Sequence, residues 1–228
     1  MKDINNLNKK DINNPNKCIS KKGIIAIGAH PDDIELGCGA SLARLINDGY
    51  HVVTVVMTKG TAGCDDNINR HDESRNSLQS LGCQQIFHLH FEDTQTQYHI
   101  DSMIKSLEDI IFKHIPEYIE IIRAYTMHDS DRHQDHRAVH KASIVACRKI
   151  PQVLGYETPS TWLNFVPQVF EEVDEYFFNV KLKALSYHQS QQHRNYMQPE
   201  NLLTLAKFRG QQAGCKLSEA FVIHKMII

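Results

Sequence analysis

The chain of 228 residues has one tryptophan, no CxxC pair among six cysteines, and little excess charge of either sign. Cysteines spread as widely as Cys18, Cys38, Cys64, Cys83, Cys147 and Cys215 exclude a dense extracellular disulfide scaffold and a zinc finger. The N-terminus carries lysines but no apolar stretch of the kind a secretory signal needs, so a reducing, cytoplasmic setting is expected. The longest apolar runs, Ile24–Ala29 and Val52–Met57, are too short to cross a bilayer, and no transmembrane anchor is expected. Lys plus Arg is 25 against 27 for Asp plus Glu, a net charge of −2, which supplies no global cationic field for nucleic acid or an anionic membrane. At 41% hydrophobic and 23% charged residues the composition is globular. A chain of this length buries roughly 70–75% of its unfolded surface and needs neither disulfide nor metal merely to fold.

Histidine is what the chain has in excess: 14 residues, with His128, His133, His136 and His140 close together. Histidine is both the commonest metal ligand and the usual general acid or base, so such clustering directs attention to a site.

Residues 1–22, rich in Asn and Lys, cannot bury enough surface to offset their ordering entropy and are expected to form a mobile tail. Residues 23–228 are expected to form a single domain. There, short β-branched runs alternate with helical periods. Strands are expected at 24–28, 52–57, 85–90, 118–122 and 153–156, with helices at 36–48, 70–81, 100–113 and 133–147 between them. A strand at 168–172, helices at 176–189 and 200–212, and a final strand at 220–226 follow. This alternation implies an α/β fold: a Rossmann-like, doubly wound, mostly parallel sheet with helices on both faces and a C-terminal segment closing the site. Ligands of such sheets bind outside the carboxyl ends of the strands. Two polar clusters, His30–Asp33 and His128–His136, each follow an expected strand, and they should meet at one edge.

The first cluster, Ala29-His30-Pro31-Asp32-Asp33, offers one imidazole and two carboxylates on a proline-stiffened loop. Adjacent Asp side chains diverge, so one can join His30 on a metal ion while the other reaches a water; alternatively, both cap the following helix. The second cluster is Asp131-Arg132-His133-Gln134-Asp135-His136-Arg137. On a helix, His133 and His136 lie one turn apart, and Asp131 and Asp135 are placed to fix their tautomers. A solvated helix start is the plainer reading of that run taken alone. Two such clusters after two strands are harder to explain by packing.

From Gly23 onward the chain resembles the LmbE-like, or PIG-L, family of metal-dependent de-N-acetylases. The resemblance rests on AHPDDIELGCG at 29–39, Arg70 and Glu73 in an RxxE pattern, Leu81-Gly82, Asp93, DRHQDHRAV at 131–139, HQSQ at 188–191 and SEAF at 218–221. It implies hydrolysis of an N-acetyl group from a glucosamine-type sugar, the N-acetylated sugar being the partner. By the same resemblance His30, Asp33 and His136 look like the ligands of Zn²⁺, for which Fe²⁺, Mn²⁺ or Co²⁺ can substitute. Asp32 looks like the general base and His133 like the group facing the carbonyl oxygen, with Asp135 behind it. Arg70 and Asp93 match positions that hold sugar hydroxyls or leaving substituents, and His188 is a weaker substrate contact. The chain departs from some members in having Ser130-Asp131-Arg132 where they carry a Tyr, and Gln134 where Pro is frequent.

The residues agree with that chemistry, since amide hydrolysis needs an activated water, a base and a place for charge on the carbonyl oxygen. Two rivals remain at this level: an amidase acting on another N-acyl sugar or a thiol-sugar conjugate, and a non-catalytic sugar-binding module. The latter has no use for both Asp32 and Asp33. Nucleotide sugars, lipid-linked sugars and small glycosides all fit the motifs.

Overall fold

The computed structural model describes residues 20–64 and 68–228. The expected tail therefore lies outside the described residues up to residue 19. Its last two positions, Lys21 and Lys22, already belong to the first strand.

Five strands run parallel: β1 (Lys21–Gly28), β2 (His51–Thr58), β3 (Gln85–Phe91), β4 (Ile119–Met127) and β5 (Gln152–Tyr156). They are joined through α1 (Asp33–Asn47), α2 (Arg70–Leu81), α3 (Ile100–Asp109) and α4 (Gln134–Ala146). After β5 come β6 (Val169–Glu172), α5 (Glu175–Leu185), α6 (Pro199–Ala213) and β7 (Ser218–Met226). The seven strands form one sheet of order β3-β2-β1-β4-β5-β7-β6, with β7 antiparallel to both its neighbours. The expected α/β architecture is present. Continuous apolar character in β1 and β2 reflects cover on both faces: Ile24, Ile25, Ala26, Ile27, Val52, Val53 and Val55 have no exposed surface. Helices α1, α2 and α5 pack together, and α3 packs with α4. Each large aliphatic side chain so buried contributes about 1.5–3 kcal/mol.

The strand order reverses between β1 and β4, which opens a crevice at their carboxyl ends. Close packing below it explains a glycine in the first motif. A Cβ at Gly37 would lie 2.1 Å from the ring of Tyr156, whose hydroxyl donates to the Ile27 carbonyl at 2.8 Å.

Some boundaries differ from expectation. β4 runs five residues past Ile122 because Arg123, a plausible strand exit by charge, is paired within the sheet. Its guanidinium contacts Glu171 of β6 at 2.7 Å and Gln152 of β5 at 2.7 Å. α3 ends at Asp109 and continues as a wider turn over Ile110–His114. α5 stops at Leu185, short of Gln189.

Candidate active site

The loops that follow β1 and β4 meet at the switch point. At the end of β1 the chain turns sharply: Asp32 has φ 109° and ψ −25°, one of two non-glycine residues with positive φ among the described residues. Such a conformation costs on the order of 1–3 kcal/mol and persists only where surrounding structure enforces it. Here the Arg70 guanidinium enforces it, bonding the Pro31 carbonyl and the Asp32 carboxylate (3.0 Å). Asp33 is the first residue of α1, and the Asp32 side chain makes no capping bond. The helix-cap reading of the pair is thereby excluded for Asp32. The Asp33 carboxylate instead accepts from the His30 N–H at 2.7 Å.

Across the crevice, α4 starts at Gln134 with His133 as its N-cap, so His136 projects from the first turn. Three donors converge. His30 Nδ1 and His136 Nε2 are 3.3 Å apart, His30 Nδ1 and Asp33 Oδ2 are 3.4 Å apart, and His136 Nε2 and Asp33 Oδ1 are 3.4 Å apart. Neighbouring ligands at about 2.0–2.1 Å from a tetrahedral zinc ion are themselves separated by about 3.3–3.4 Å. The opposite ring nitrogens determine the tautomers. His30 Nε2 faces Asp135 Oδ2 at 3.1 Å, and His136 Nδ1 faces Asp131 Oδ2 at 2.9 Å. Each carboxylate accepts a hydrogen bond from the outer ring N–H, the arrangement that turns the inward nitrogen's lone pair toward a bound cation. Two imidazole nitrogens and a carboxylate converging at these distances are a donor set that fits a divalent cation.

Further contacts hold these carboxylates. Asp131 accepts from Thr158 Oγ1 at 2.7 Å and Ser160 Oγ at 2.6 Å, both from the loop after β5. Asp135 accepts from the Thr94 N–H at 2.7 Å and from Thr96 Oγ1 at 2.6 Å. Burial works against ionisation of Asp131, yet its bond and charge contact with His136, with help from Ser160, hold its carboxyl down to about 2. Asp135 is lowered against the same opposition by His30, Thr96 and Thr94. For Asp32 burial prevails over the opposing charge of Arg70 and lifts the carboxyl to about 6.

His133 packs edge-on against His30 and stacks on His136, with centroids at 4.6 and 4.8 Å. Burial, and then the neighbouring imidazoles, push its pKa down. Its Nδ1 accepts from the Asp135 N–H at 3.2 Å, so the neutral ring carries its proton on Nε2 and is a donor there. The expected support of His133 by Asp135 thus comes from the backbone; the Asp135 carboxylate lies nearer His30, 3.1 Å from its ring against 3.9 Å for His133. His133 also offers a nitrogen within 4.8 Å of those of His30 and His136.

A cavity of about 370 Å³ opens over this cluster, and His30, Asp32, Asp33, His133 and His136 all line it. Arg70 and Asp93 line it too, although both are already engaged. The Asp93 carboxylate accepts from the N–H groups of Gly60 (3.0 Å) and Ala62 (2.8 Å), and Arg70 donates to the Gly60 carbonyl (2.9 Å). They order the loop after β2. His188 requires a correction, because it has no exposed surface and does not line the cavity. Its Nε2 lies 2.9 Å from Oε1 of the equally buried Glu35, which ties the HQSQ segment to α1. Glu73 ties the same segment to α2, accepting from Ser190 N at 2.8 Å and Oγ at 2.6 Å. Glu219 is also structural: it pairs with Lys181 at 2.6 Å under the middle of α1. His88 faces Ser74 and stacks on His71, away from the cavity. Thr94, Pro159 and Ser160 also line it, from the segments 91–98 and 157–175 in which the sequence places acyl and sugar specificity. Arg194 and Tyr196 line it without any such signal, lying just past HQSQ in a segment without periodicity.

Two imidazoles and a carboxylate thus converge beside a second carboxylate at the switch point of a Rossmann-like sheet, an arrangement able to hold a divalent cation next to a base. Residues 25–147 match the PIG-L family, described as GlcNAc-PI de-N-acetylase. The chain is 64% identical over 170 residues to the uncharacterized deacetylase YaiS of Escherichia coli (strain K12), covering 75% of this chain and 92% of that protein. It is 26% identical over 231 residues to the diacetylchitobiose deacetylase of Thermococcus kodakarensis, covering 91% and 84%. The structure of N,N′-diacetylchitobiose deacetylase from Pyrococcus horikoshii superposes with a TM-score of 0.72 at 23% identity, over 88% of this chain and 83% of that one. The chain belongs to the PIG-L family and is a hydrolase of amide bonds of the deacetylase type. Among the described residues no helix is long and apolar enough to cross a membrane.

Proposed function

We propose that the protein is a zinc-dependent hydrolase that removes the N-acetyl group from a glucosamine-type sugar or glycoconjugate. The observation that carries this reading is the convergence of His30 Nδ1, His136 Nε2 and the Asp33 carboxylate at 3.3–3.4 Å, with Asp32 beside them in the cavity. A divalent ion held by these three would polarise the amide carbonyl and lower the pKa of water toward about 7. Zinc suits two imidazoles and one carboxylate, although Fe²⁺, Mn²⁺ and Co²⁺ accept the same donors.

The chain's own residues supply the rest. Asp32, held by Arg70 with its carboxylate in the cavity, takes a proton from the attacking water and returns it to the departing amine. The C–N bond breaks, leaving acetate and the free amino sugar. His133 donates from Nε2 to the carbonyl oxygen as charge builds there, a contribution of about 3–4 kcal/mol for one such donor elsewhere. Asp131 and Asp135 hold His136 and His30 in the tautomers this requires. The deacetylase relatives whose names specify diacetylchitobiose support an N-acetylated sugar as substrate. Buried thiols at Cys38, Cys83 and Cys147 support a reducing, cytoplasmic setting.

Metal analysis paired with acetate release from a panel of N-acetylglucosamine derivatives tests the reading. One metal per chain and acetate release are expected for the wild type, Asp32→Ala should keep the metal and lose turnover, and His136→Ala should lose both. Full activity in Asp32→Ala removes the proposed base. Metal without acetate from any sugar would favour an amidase with another acyl or thiol-sugar substrate.

A further inference from the structure

Arg194 stands between two short turns, Gln189–Gln191 and Asn195–Met197, on the segment joining α5 to α6. It lines the same cavity as Asp32 and His133. Its main chain is fixed in place: the N–H donates to the Gln191 carbonyl at 2.9 Å, and its own carbonyl accepts from Met197 N at 3.0 Å and Gln198 Nε2 at 3.3 Å. Its side chain is exposed, and among the described residues nothing pairs with the guanidinium.

That separates it from the other charges around the cavity. Asp32 is paired with Arg70 at 3.0 Å, Asp93 accepts two backbone N–H groups at 3.0 and 2.8 Å, and Asp33 belongs to the cation site. Arg70 is spent on the loops. The Arg194 guanidinium is thus a fixed-base, uncommitted fork of donors at the rim of an amide-cleaving cavity. Gln191 and Tyr196 flank it, joined only by a long contact of 3.4 Å that a ligand can displace. A guanidinium matches the paired oxygens of a phosphate or carboxylate and gains little from a neutral hydroxyl. A chain of net charge −2 has no overall field to attract an anion, so any such attraction has to be local.

We propose that Arg194 binds an oxyanion carried by the substrate, making the preferred substrate an N-acetylated amino sugar with a phosphate or carboxylate group away from the reacting amide. The proposal rests on the deacetylase reading above and names the substrate class for it.

Acetate release by the metal-loaded protein is to be measured with N,N′-diacetylchitobiose as the neutral substrate, N-acetylglucosamine 1-phosphate as the phosphate and N-acetylmuramic acid as the carboxylate. The wild type should turn over one of the anionic sugars with a kcat/KM at least roughly tenfold above the neutral one. Arg194→Gln should reduce that ratio by roughly 10- to 100-fold, through KM, as expected for the loss of a charge-assisted pair. Which anionic sugar loses more identifies the group recognised. No preference in the wild type, or an equal loss on neutral and anionic sugars, overturns the proposal. Calorimetric binding of glucosamine 1-phosphate to wild type and Arg194→Gln separates this proposal from the one it rests on. Binding that depends on Arg194, without acetate from any substrate, supports the anion site and refutes the N-acetyl-sugar reading it rests on. Binding undiminished in Arg194→Gln overturns the anion site whatever the turnover.

Discussion

Glu219→Gln probes how α1, whose first residue is Asp33, is held against the sheet. The helix breaks at Cys38, where φ is −144° and ψ is 17°. Ala40 N–H, which an unbroken helix would direct to the Leu36 carbonyl, donates instead to Glu219 Oε1 at 3.2 Å, while Ser41 N–H donates to Oε2 at 2.7 Å. The Leu36 carbonyl accepts from Lys181 Nζ at 2.7 Å, and Lys181 pairs with Glu219 at 2.6 Å. One buried ion pair therefore satisfies both sides of the break, with Lys181 and Glu219 each 5% exposed. Gln keeps the shape and one acceptor but leaves the ammonium uncompensated. Removing one partner of a buried pair costs about 3–5 kcal/mol. A folded chain of this size loses about 2–4 °C of Tm per kcal/mol, so the melting temperature should fall by about 6–20 °C. Thermal and urea unfolding followed by circular dichroism measure the loss, and Lys181→Met completes a double-mutant cycle. The double variant should be less destabilised than the two single effects summed. A loss under about 1 kcal/mol in Glu219→Gln, or strict additivity with Lys181→Met, would refute the argument.

Asp131→Asn should weaken metal binding by roughly 10- to 100-fold, because the His136 ring loses the charged acceptor that orients it; chelator competition giving an unchanged Kd would contradict this. The buried pair His188–Glu35 predicts a pH dependence. Burial opposes the charged imidazole, but Glu35, with Asp32 beyond it and against the charge of Arg70, raises the His188 pKa above its ordinary value. A raised folded pKa means that the stabilisation is complete below about pH 6.5 and disappears as pH rises through the folded value. The stability difference between wild type and His188→Gln, read from urea unfolding, should be largest near pH 6 and shrink by pH 9. A difference that grows with pH would have the wrong sign.

Much of this was legible along the chain. Short apolar runs at Ile24–Ile27 and, with Thr54 in its middle, at Val52–Met57 announced strands, and the structure buries both. Parallel strands joined by helices oblige the loops after β1 and β4 to share one edge, so two distant motifs imply a single site. What misled was local charge. Arg123 looked like the end of β4 and is a sheet residue, because its partner Glu171 comes from a strand 48 positions away. His188 looked like a substrate contact because it is polar and sits in one motif, HQSQ, and Glu219 sits in another, SEAF. In the structure they face α1, where Glu35, Ala40 and Ser41 are their partners.

The sequence by itself determined the strand order's raw material, the His and Asp inventory of the site and the family to which the chain belongs, because periodicity and motif spacing are local properties. Only the tertiary structure decided how those side chains are used. It placed His30 Nδ1, His136 Nε2 and Asp33 at mutual distances of 3.3–3.4 Å, gave Asp135 to His30, and left the Arg194 guanidinium at the rim with no partner among the described residues. Such pairings join residues separated by up to 106 positions. No local signal encodes them, since they exist only once the sheet and its crossovers have brought the strand ends together.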